Sequence, residues 1–287
     1  MSEHPYSSDL HMHSTASDGV YDPAKLMNLA ADNGLTIVSL TDHDTVSGVK
    51  EAQKTAEKRG LIFIPGIEFS TKEGGESVHI LGYGYDIDNQ AFLKALEEQR
   101  KMREDRLEKM VKKCAAHGVP LTREDVMAHV DGSVIARPHV GQAMVEKGYV
   151  QSVKDAFDRY LAEGKPCYVA KAKEWSPEEA IEIIHNAGGY AIVAHPGHYD
   201  LDDRIEQWVK DFGLDGVEVY HRDHDENQVK RYEEIVQDIE NKLGNDLLIT
   251  GGSDFHSPDY GRDKEELGVT KLADHFAERL VNLCEKT

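Results

Sequence analysis

Cysteine is scarce and poorly placed for cross-linking. The three residues, Cys114, Cys167 and Cys284, are odd in number, far apart along the chain and in no CxxC pair. This argues against a disulfide framework and against a cysteine-built zinc site, and fits reduced, partly buried thiols in a cytoplasmic protein. Long apolar runs are also missing, none approaching the roughly 18 residues that a membrane span needs. The opening Met1-Ser2-Glu3-His4-Pro5 lacks the basic start and apolar stretch of a signal peptide. Positive charge is in deficit: 33 Lys and Arg stand against 53 Asp and Glu, a formal net charge of -20. So acidic a surface repels polyanions, which argues against anionic membranes and against an extended nucleic-acid surface. Any phosphate-bearing substrate then needs a locally positive site. Internal repeats and low-complexity segments are absent.

What is present fits one large soluble unit. The chain has 287 residues, 39% apolar and 30% charged, enough for an α/β barrel of roughly 250 residues plus an insertion. Short β-branched runs alternate with helical stretches. The alternating run that enters from Asp9 and ends at the turn Ser17-Asp18-Gly19 is followed by a helix opened by Asp22-Pro23 and closed at Asn33-Gly34. Thr36–Leu40 is a strand, Val46–Arg59 a helix, and Leu61–Ile67 a strand leading into Glu68. Val78–Tyr83 is a fourth strand. Further strands are expected at Tyr190–Ala194, Gly216–Tyr220 and Leu247–Gly251, and a last helix over Ala273–Cys284. This alternation predicts a mainly parallel sheet with both faces covered. Between residues 89 and 168 the strand signal disappears. Helical stretches at Gln90–His117, Thr122–Val130, Pro138–Lys147 and Gln151–Glu163 predict an all-helical insertion between barrel segments 1–88 and 169–287.

The chemistry concentrates at strand ends. In Asp9-Leu10-His11-Met12-His13-Ser14, alternation puts Asp9, His11 and His13 on one face. The two imidazoles stand about 7 Å apart along the strand, within reach of one metal ion. Alone, the pair reads more readily as two surface histidines on an edge strand. However, His43, Glu68, His195, and Asp254 with His256 also stand at or just beyond strand ends, with Asp18 in the loop after the first strand and His79 on the fourth. In parallel α/β folds those ends converge on one rim. Nitrogen and oxygen ligands without cysteine suit Zn, Mn or Fe. Asp9, Asp42 and Asp44 are candidates for orienting the imidazoles.

The motifs Asp9-Leu10-His11-Met12-His13-Ser14, Thr41-Asp42-His43, Gly66-Ile67-Glu68, Ala194-His195-Pro196 and Gly252-Ser253-Asp254-Phe255-His256 together resemble the polymerase and histidinol phosphatase (PHP) family. The resemblance covers the chain apart from the helical insertion. It implies a distorted (β/α)7, TIM-like barrel and a trinuclear metal site. By resemblance, His11, His13, Glu68 and Asp254 hold one metal, Glu68 bridges to a second held by His79 and His195, and Asp18, His43 and His256 hold the third. Three divalent ions are the expected cofactors, Mn2+ ahead of Fe or Zn2+. The helical insertion after the fourth strand is similar to the stand-alone bacterial members that act as 3',5'-nucleoside bisphosphate phosphatases and 5'-3' exoribonucleases.

Phosphate chemistry agrees with this ligand set. Three divalent ions against three ligand carboxylates leave about +3, which attracts a phosphate dianion despite the acidic surface. Metals a few Å apart lower the pKa of a bridging water, supply hydroxide for in-line attack and neutralise the leaving oxygen, so no side-chain nucleophile is needed. For substrate contacts, Arg100, Arg103 and Arg106 recur along one side of the inserted helix. They suit either a phosphate clamp or a solvated face paired with Glu97, Glu104 and Glu108. Arg137 has the same standing. Its neighbour His139 reads as an ordinary helix residue. His198, Tyr220 and His221 follow strand ends and are expected to line the pocket, while His221-Arg222-Asp223-His224 reads as a solvated helix start. The expected activity is hydrolysis of a phosphate ester of a small nucleotide, such as a 3',5'-bisphosphate, or of a short RNA 5' end. Histidinol phosphatase and a non-catalytic metal-binding module are the alternatives. A metal-dependent amidohydrolase lacks a lysine candidate among the strand ends.

Overall fold

Seven strands succeed one another around a nearly closed barrel in the order in which they occur in the chain. They are β1 (Ser8–Asp9), β2 (Ile37–Leu40), β3 (Ile62–Glu73), β4 (Glu76–Tyr83), β5 (Tyr190–Val193), β6 (Gly216–His221) and β7 (Leu248–Gly252). The helices are α1 (Pro23–Asp32), α2 (Val49–Arg59), α3 (Gln90–Ala116), α4 (Arg123–Met127), α5 (Arg137–Glu146), α6 (Val153–Ala156), α7 (Pro177–Asn186), α8 (Asp202–Phe212), α9 (Glu226–Leu243) and α10 (Asp274–Cys284). This computed structural model describes residues 7–130, 135–170, 173–258, 266–270 and 272–285. Met1–Pro5, read above for a leader, lies outside them. No helix among the described residues is long and apolar enough to cross a membrane.

The sheet is more mixed than expected. β1, β2 and β3 run parallel, as do β5, β6 and β7, but β4 is antiparallel to both of its neighbours. The cause is local. Gly74 and Gly75, at φ 58° and 102°, turn β3 directly into β4. That conformation suits glycine, and it replaces a crossover helix by a hairpin. β3 therefore runs on past Glu68, which sits within the strand and pairs with Leu81.

The barrel interior is filled from the strands. Leu10, Ile37, Ile64, Leu81, Tyr83, Ile192 and Leu248 pack with Leu272, Ala277 and Leu280, the last two on α10. A second cluster joins Met12, Val38 and Leu40 to Leu26, Met27 and Ala30 of α1 and Ala52 and Ala56 of α2. α1 begins where the Asp22 side chain accepts the Lys25 N–H, with Pro23 in its first turn.

β1 and β7 close the ring. The Leu10 N–H donates to Gly251 O at 3.2 Å and the His13 N–H to Phe255 O at 2.9 Å. The approach is so close that a Cβ on Gly252 would lie 2.2 Å from the His11 Cβ and 2.4 Å from its main-chain nitrogen. Gly252→Ala must push this seam apart. We expect it to destabilise the protein by about 2–3 kcal/mol, read from urea unfolding. A variant as stable as the parent would mean that the seam is looser than described.

A second compact unit comprises Lys94–Glu174, and the remaining chain forms the barrel unit. Both borders fall a few residues later than those of the insertion read from sequence, Lys94 for 89 and Glu174 for 168, for packing reasons. The first turn of α3 stays with the barrel because the Phe92 ring meets Phe69 and Tyr85 at 5.9 and 4.6 Å. Residues before Trp175 stay with the helices: Tyr168 O accepts from Lys113 Nζ and Val169 O from Arg106 Nε. Trp175 itself packs on Phe69. The helical core contains Leu107, Met110, Val126 and Met144, together with Cys114 and Cys167. These two cysteines, distant in sequence, meet thiol to thiol, and burial raises both above the usual thiol range.

Candidate metal centre

The strand ends bring all nine expected ligands together. His11 and His13 follow β1, His43 follows β2, Glu68 and His79 lie on β3 and β4, His195 follows β5, and Asp254 and His256 follow β7. Asp18 reaches in from the turn after β1. Glu68 is the hub, fully buried. Its Oε1 lies 2.7 Å from His79 Nδ1 and 3.0 Å from His195 Nε2. Its Oε2 lies 3.2 Å from the Nε2 atoms of His11 and His13, and 3.1 Å from His43 Nδ1. Asp254 Oδ1 stands 3.1 Å from His13 Nε2 and 3.5 Å from His11 Nε2. On the far side of His13, whose ring stacks on His256 at 4.1 Å, Asp18 Oδ1 lies 3.3 Å from His256 Nε2.

These contacts form overlapping groups of mutually close ligand atoms. One is His11, His13, Glu68 and Asp254; another is His13, Asp18, His43 and His256; a third is His43, Glu68 and His79. Several buried atoms turned into them, His11 Nε2, both ring nitrogens of His13, His43 Nδ1 and Glu68 Oε2, crowd one another without a well-aligned hydrogen bond among the described residues. Each such atom costs about 1–3 kcal/mol unless something satisfies it. Lone pairs of nitrogen and carboxylate oxygen at this spacing suit divalent cations.

Charge is distributed accordingly. Burial would raise the Glu68 carboxyl, but the surrounding His43, His79 and His11 hold it well below the usual carboxylate range. Asp254 is likewise held low, against burial, by His11 and His13. Burial lowers His43 and His195 to about 4. For His13 burial is outweighed by Asp254 and Glu68, which raise it to about 10. The backbone is strained at the same place. Asp44, His195 and Asp254, at φ 51°, 26° and 49°, are the non-glycine residues with positive φ among those described. Such conformations cost about 1–3 kcal/mol each and persist where surrounding contacts impose them.

The supporting residues differ from those expected. Asp9, Asp42 and Asp44 were candidates for holding imidazoles, yet the hydrogen bonds they accept here come from main-chain N–H groups and serine hydroxyls. Asp9 accepts the Ser253 and Gly268 N–H groups, both at 2.9 Å. Asp42 accepts the Ser14 N–H and the Ser14 and Ser17 hydroxyls, each at 2.7 Å. Asp44 accepts the Ser70 N–H at 2.8 Å. An aspartate beside a ligand in a turn satisfies main-chain donors first.

The imidazoles are held instead by Glu218 and Tyr199, which sequence reasoning did not single out. Glu218 Oε1 lies 2.9 Å from His11 Nδ1, and its Oε2 accepts the His195 N–H at 2.8 Å. Tyr199 Oη accepts the His79 N–H and stands 2.9 Å from His195 Nδ1. Nor is His221 a solvated helix start. It is the last residue of β6, buried, with Nε2 3.6 Å from Asp254 Oδ2. A bulge between Glu218 and Tyr220 causes this, since Glu218 pairs with Thr250 but Tyr220 with the next residue, Gly251. The reset alternation turns Tyr220 outward to Glu233 and His221 inward. His198 packs against the His195 ring at 4.7 Å.

Arg103, Arg106 and Arg137 belong to the helical unit and gather there. Burial, followed by the charges of Arg137 and Arg103, lowers Arg106. Arg137 lies over the Phe157 and Tyr168 rings. Arg100, by contrast, pairs with Glu97 and Glu104, as a solvated face would. His139 is an ordinary helix residue, its Nδ1 accepting the Ala136 N–H.

Residues 9–213 match the PHP domain family. A 5'-3' exoribonuclease of Haemophilus influenzae is 37% identical over 255 residues, 87% of this chain and 90% of the relative. A 3',5'-nucleoside bisphosphate phosphatase of Chromobacterium violaceum is 35% identical over 262 residues, 89% of each chain. The crystal structure of a Bifidobacterium adolescentis protein assigned as a metal-dependent phosphoesterase superposes with a TM-score of 0.78 at 30% identity, covering 96% of both chains. Barrel, ligand cluster and relatives define a metal-dependent phosphoesterase. The chain belongs to the PHP family, as its motifs implied.

Proposed function

We propose that this protein hydrolyses a phosphate ester of a small nucleotide, such as a 3',5'-nucleoside bisphosphate, or of the 5' end of a short RNA. The observation that carries the reading is the cluster of six imidazoles and two further carboxylates gathered about buried Glu68, with ligand atoms that make no well-aligned hydrogen bond among the described residues. In this reading His11, His13, Glu68 and Asp254 hold one divalent ion, Glu68, His79 and His195 a second, and Asp18, His43 and His256 a third. Mn2+ is the first candidate, with Fe or Zn2+ as alternatives. Bound there, the ions supply Lewis acidity, activating a water and offsetting charge on the phosphate. Glu68 spans the cluster and holds its imidazoles at fixed separations, and Tyr199 and Glu218 steady His195. The barrel halves carry this centre and the helical insertion carries an anion site. The nucleotide preference is supported by the activities of the two relatives and by the arginines gathered in the helical unit. The unpaired thiols suit a reducing cytoplasm.

The test is phosphate release by the Mn2+-reconstituted protein from adenosine 3',5'-bisphosphate, AMP, histidinol phosphate and a short 5'-phosphorylated RNA, beside His195→Ala. Turnover of the bisphosphate or RNA, lost in the variant, is expected; turnover of histidinol phosphate alone would overturn the nucleotide reading.

A further inference from the structure

We propose that Glu218 is the positioning residue of the metal centre, using one carboxylate to hold two ligands that come from different strands. The inference rests on the metal reading of the cluster. Glu218 is fully buried and makes its two contacts with separate oxygens. On one side Oε1 takes the Nδ1–H of His11, which leaves Nε2 as the nitrogen turned toward Glu68 and Asp254. On the other, Oε2 takes the main-chain N–H of His195, whose φ of 26° is a conformation that needs an imposed contact. The bulge that follows in β6 allows Glu218 and His221 to face the same interior although they are three residues apart. A hydrogen bond from a carboxylate to the far nitrogen of a ligating histidine fixes its ring and raises its basicity.

The arrangement requires two acceptors, and this gives a sharp test. In Glu218→Gln one oxygen becomes an NH2 group. If the amide oxygen keeps the His195 N–H, the NH2 faces His11 Nδ1 and shifts the ring proton to Nε2, which blocks ligation there. If the amide turns over, NH2 opposes the His195 N–H and that ligand loses its anchor. Either way one ligand fails while the packing volume is unchanged.

The experiment titrates zinc into metal-stripped wild-type and Glu218→Gln protein, with bound zinc per chain read by mass spectrometry and folding by the chelated melting temperature. A fall in affinity of about 10–100-fold is expected in the variant, with the chelated melting temperature within a few degrees of the parent. Zinc affinity within about twofold of wild type overturns the proposal. Should the variant fail to fold, the 15N imidazole spectrum of zinc-loaded wild-type protein decides. His11 must show a protonated Nδ1 and a metal-bound Nε2, and the reverse overturns the assignment. A wild-type protein that takes up no zinc or Mn2+ overturns the metal reading as well.

Discussion

Glu68→Gln should abolish phosphate-ester hydrolysis to within about 0.1% of the parent kcat/KM, a loss of at least about 4 kcal/mol in transition-state stabilisation. The size follows from the geometry. Both oxygens of Glu68 are in use, Oε1 against His79 and His195 and Oε2 against His11, His13 and His43. A glutamine keeps one oxygen and turns an NH2 toward imidazole nitrogens whose lone pairs must stay free for metal. The change also removes one of the three carboxylates that balance the cations. Metal content should therefore fall together with activity, and restoring Mn2+ to high concentration should recover only part of it. Retention of several per cent of the parent kcat/KM, with metals bound, would mean that Glu68 is replaceable and that the hub lies elsewhere.

The contrast between Glu68 and Glu218 shows where the sequence is informative. Glu68 sits in Gly66-Ile67-Glu68, and the other candidate ligands except Asp18 and His79 sit in similarly short motifs following strands. Each motif is a local signal, and the barrel converts local position into shared position. The nine candidate ligands, and their gathering at one place, could therefore be expected before any coordinates. Glu218 has no such signature. In Gly216-Val217-Glu218-Val219-Tyr220 a single acid between two valines reads as the solvent-facing member of an alternating strand. Only the pairing with β7, with its bulge, shows that this acid faces inward and brings His221 with it. Tyr199 is similarly silent: it stands four residues after His195 in the turn following β5, and only the fold brings it to His79 on β4. The direction of β4 was readable in principle, since Glu73-Gly74-Gly75-Glu76 between two strand-like runs is a hairpin signal. The arginines were ambiguous on helical spacing alone. Packing separated Arg106, half-buried and bonded to Val169 O, from Arg100, paired on the surface.

Removing the metals should abolish activity completely, and it should also make stability depend on pH in a way the loaded protein does not share. In the stripped protein His13 is raised to about 10, because Asp254 and Glu68 outweigh its burial, against an unfolded value of about 6.5. Its stabilising contribution is complete below about pH 6.5 and is lost as pH rises toward 10. His43 and His195 have the opposite sign. Burial lowers both to about 4, so between about pH 6.5 and 4 the unfolded chain binds protons that the folded one refuses, and stability falls as pH falls. Glu218, lowered to about 2 by His11 against its burial, adds a further loss below about pH 4.5. The melting temperature of the chelated protein should therefore peak near pH 6.5 and drop by more than about 5 °C by pH 9.5. Divalent ions compete with protons for the same nitrogens, so their stabilisation grows as pH rises and offsets the alkaline decline. Melting curves from pH 4 to 10, in chelator and in excess Mn2+, should then diverge steadily above pH 6.5. Parallel curves would mean that the imidazoles around Glu68 and Asp254 are not the groups that bind the metal.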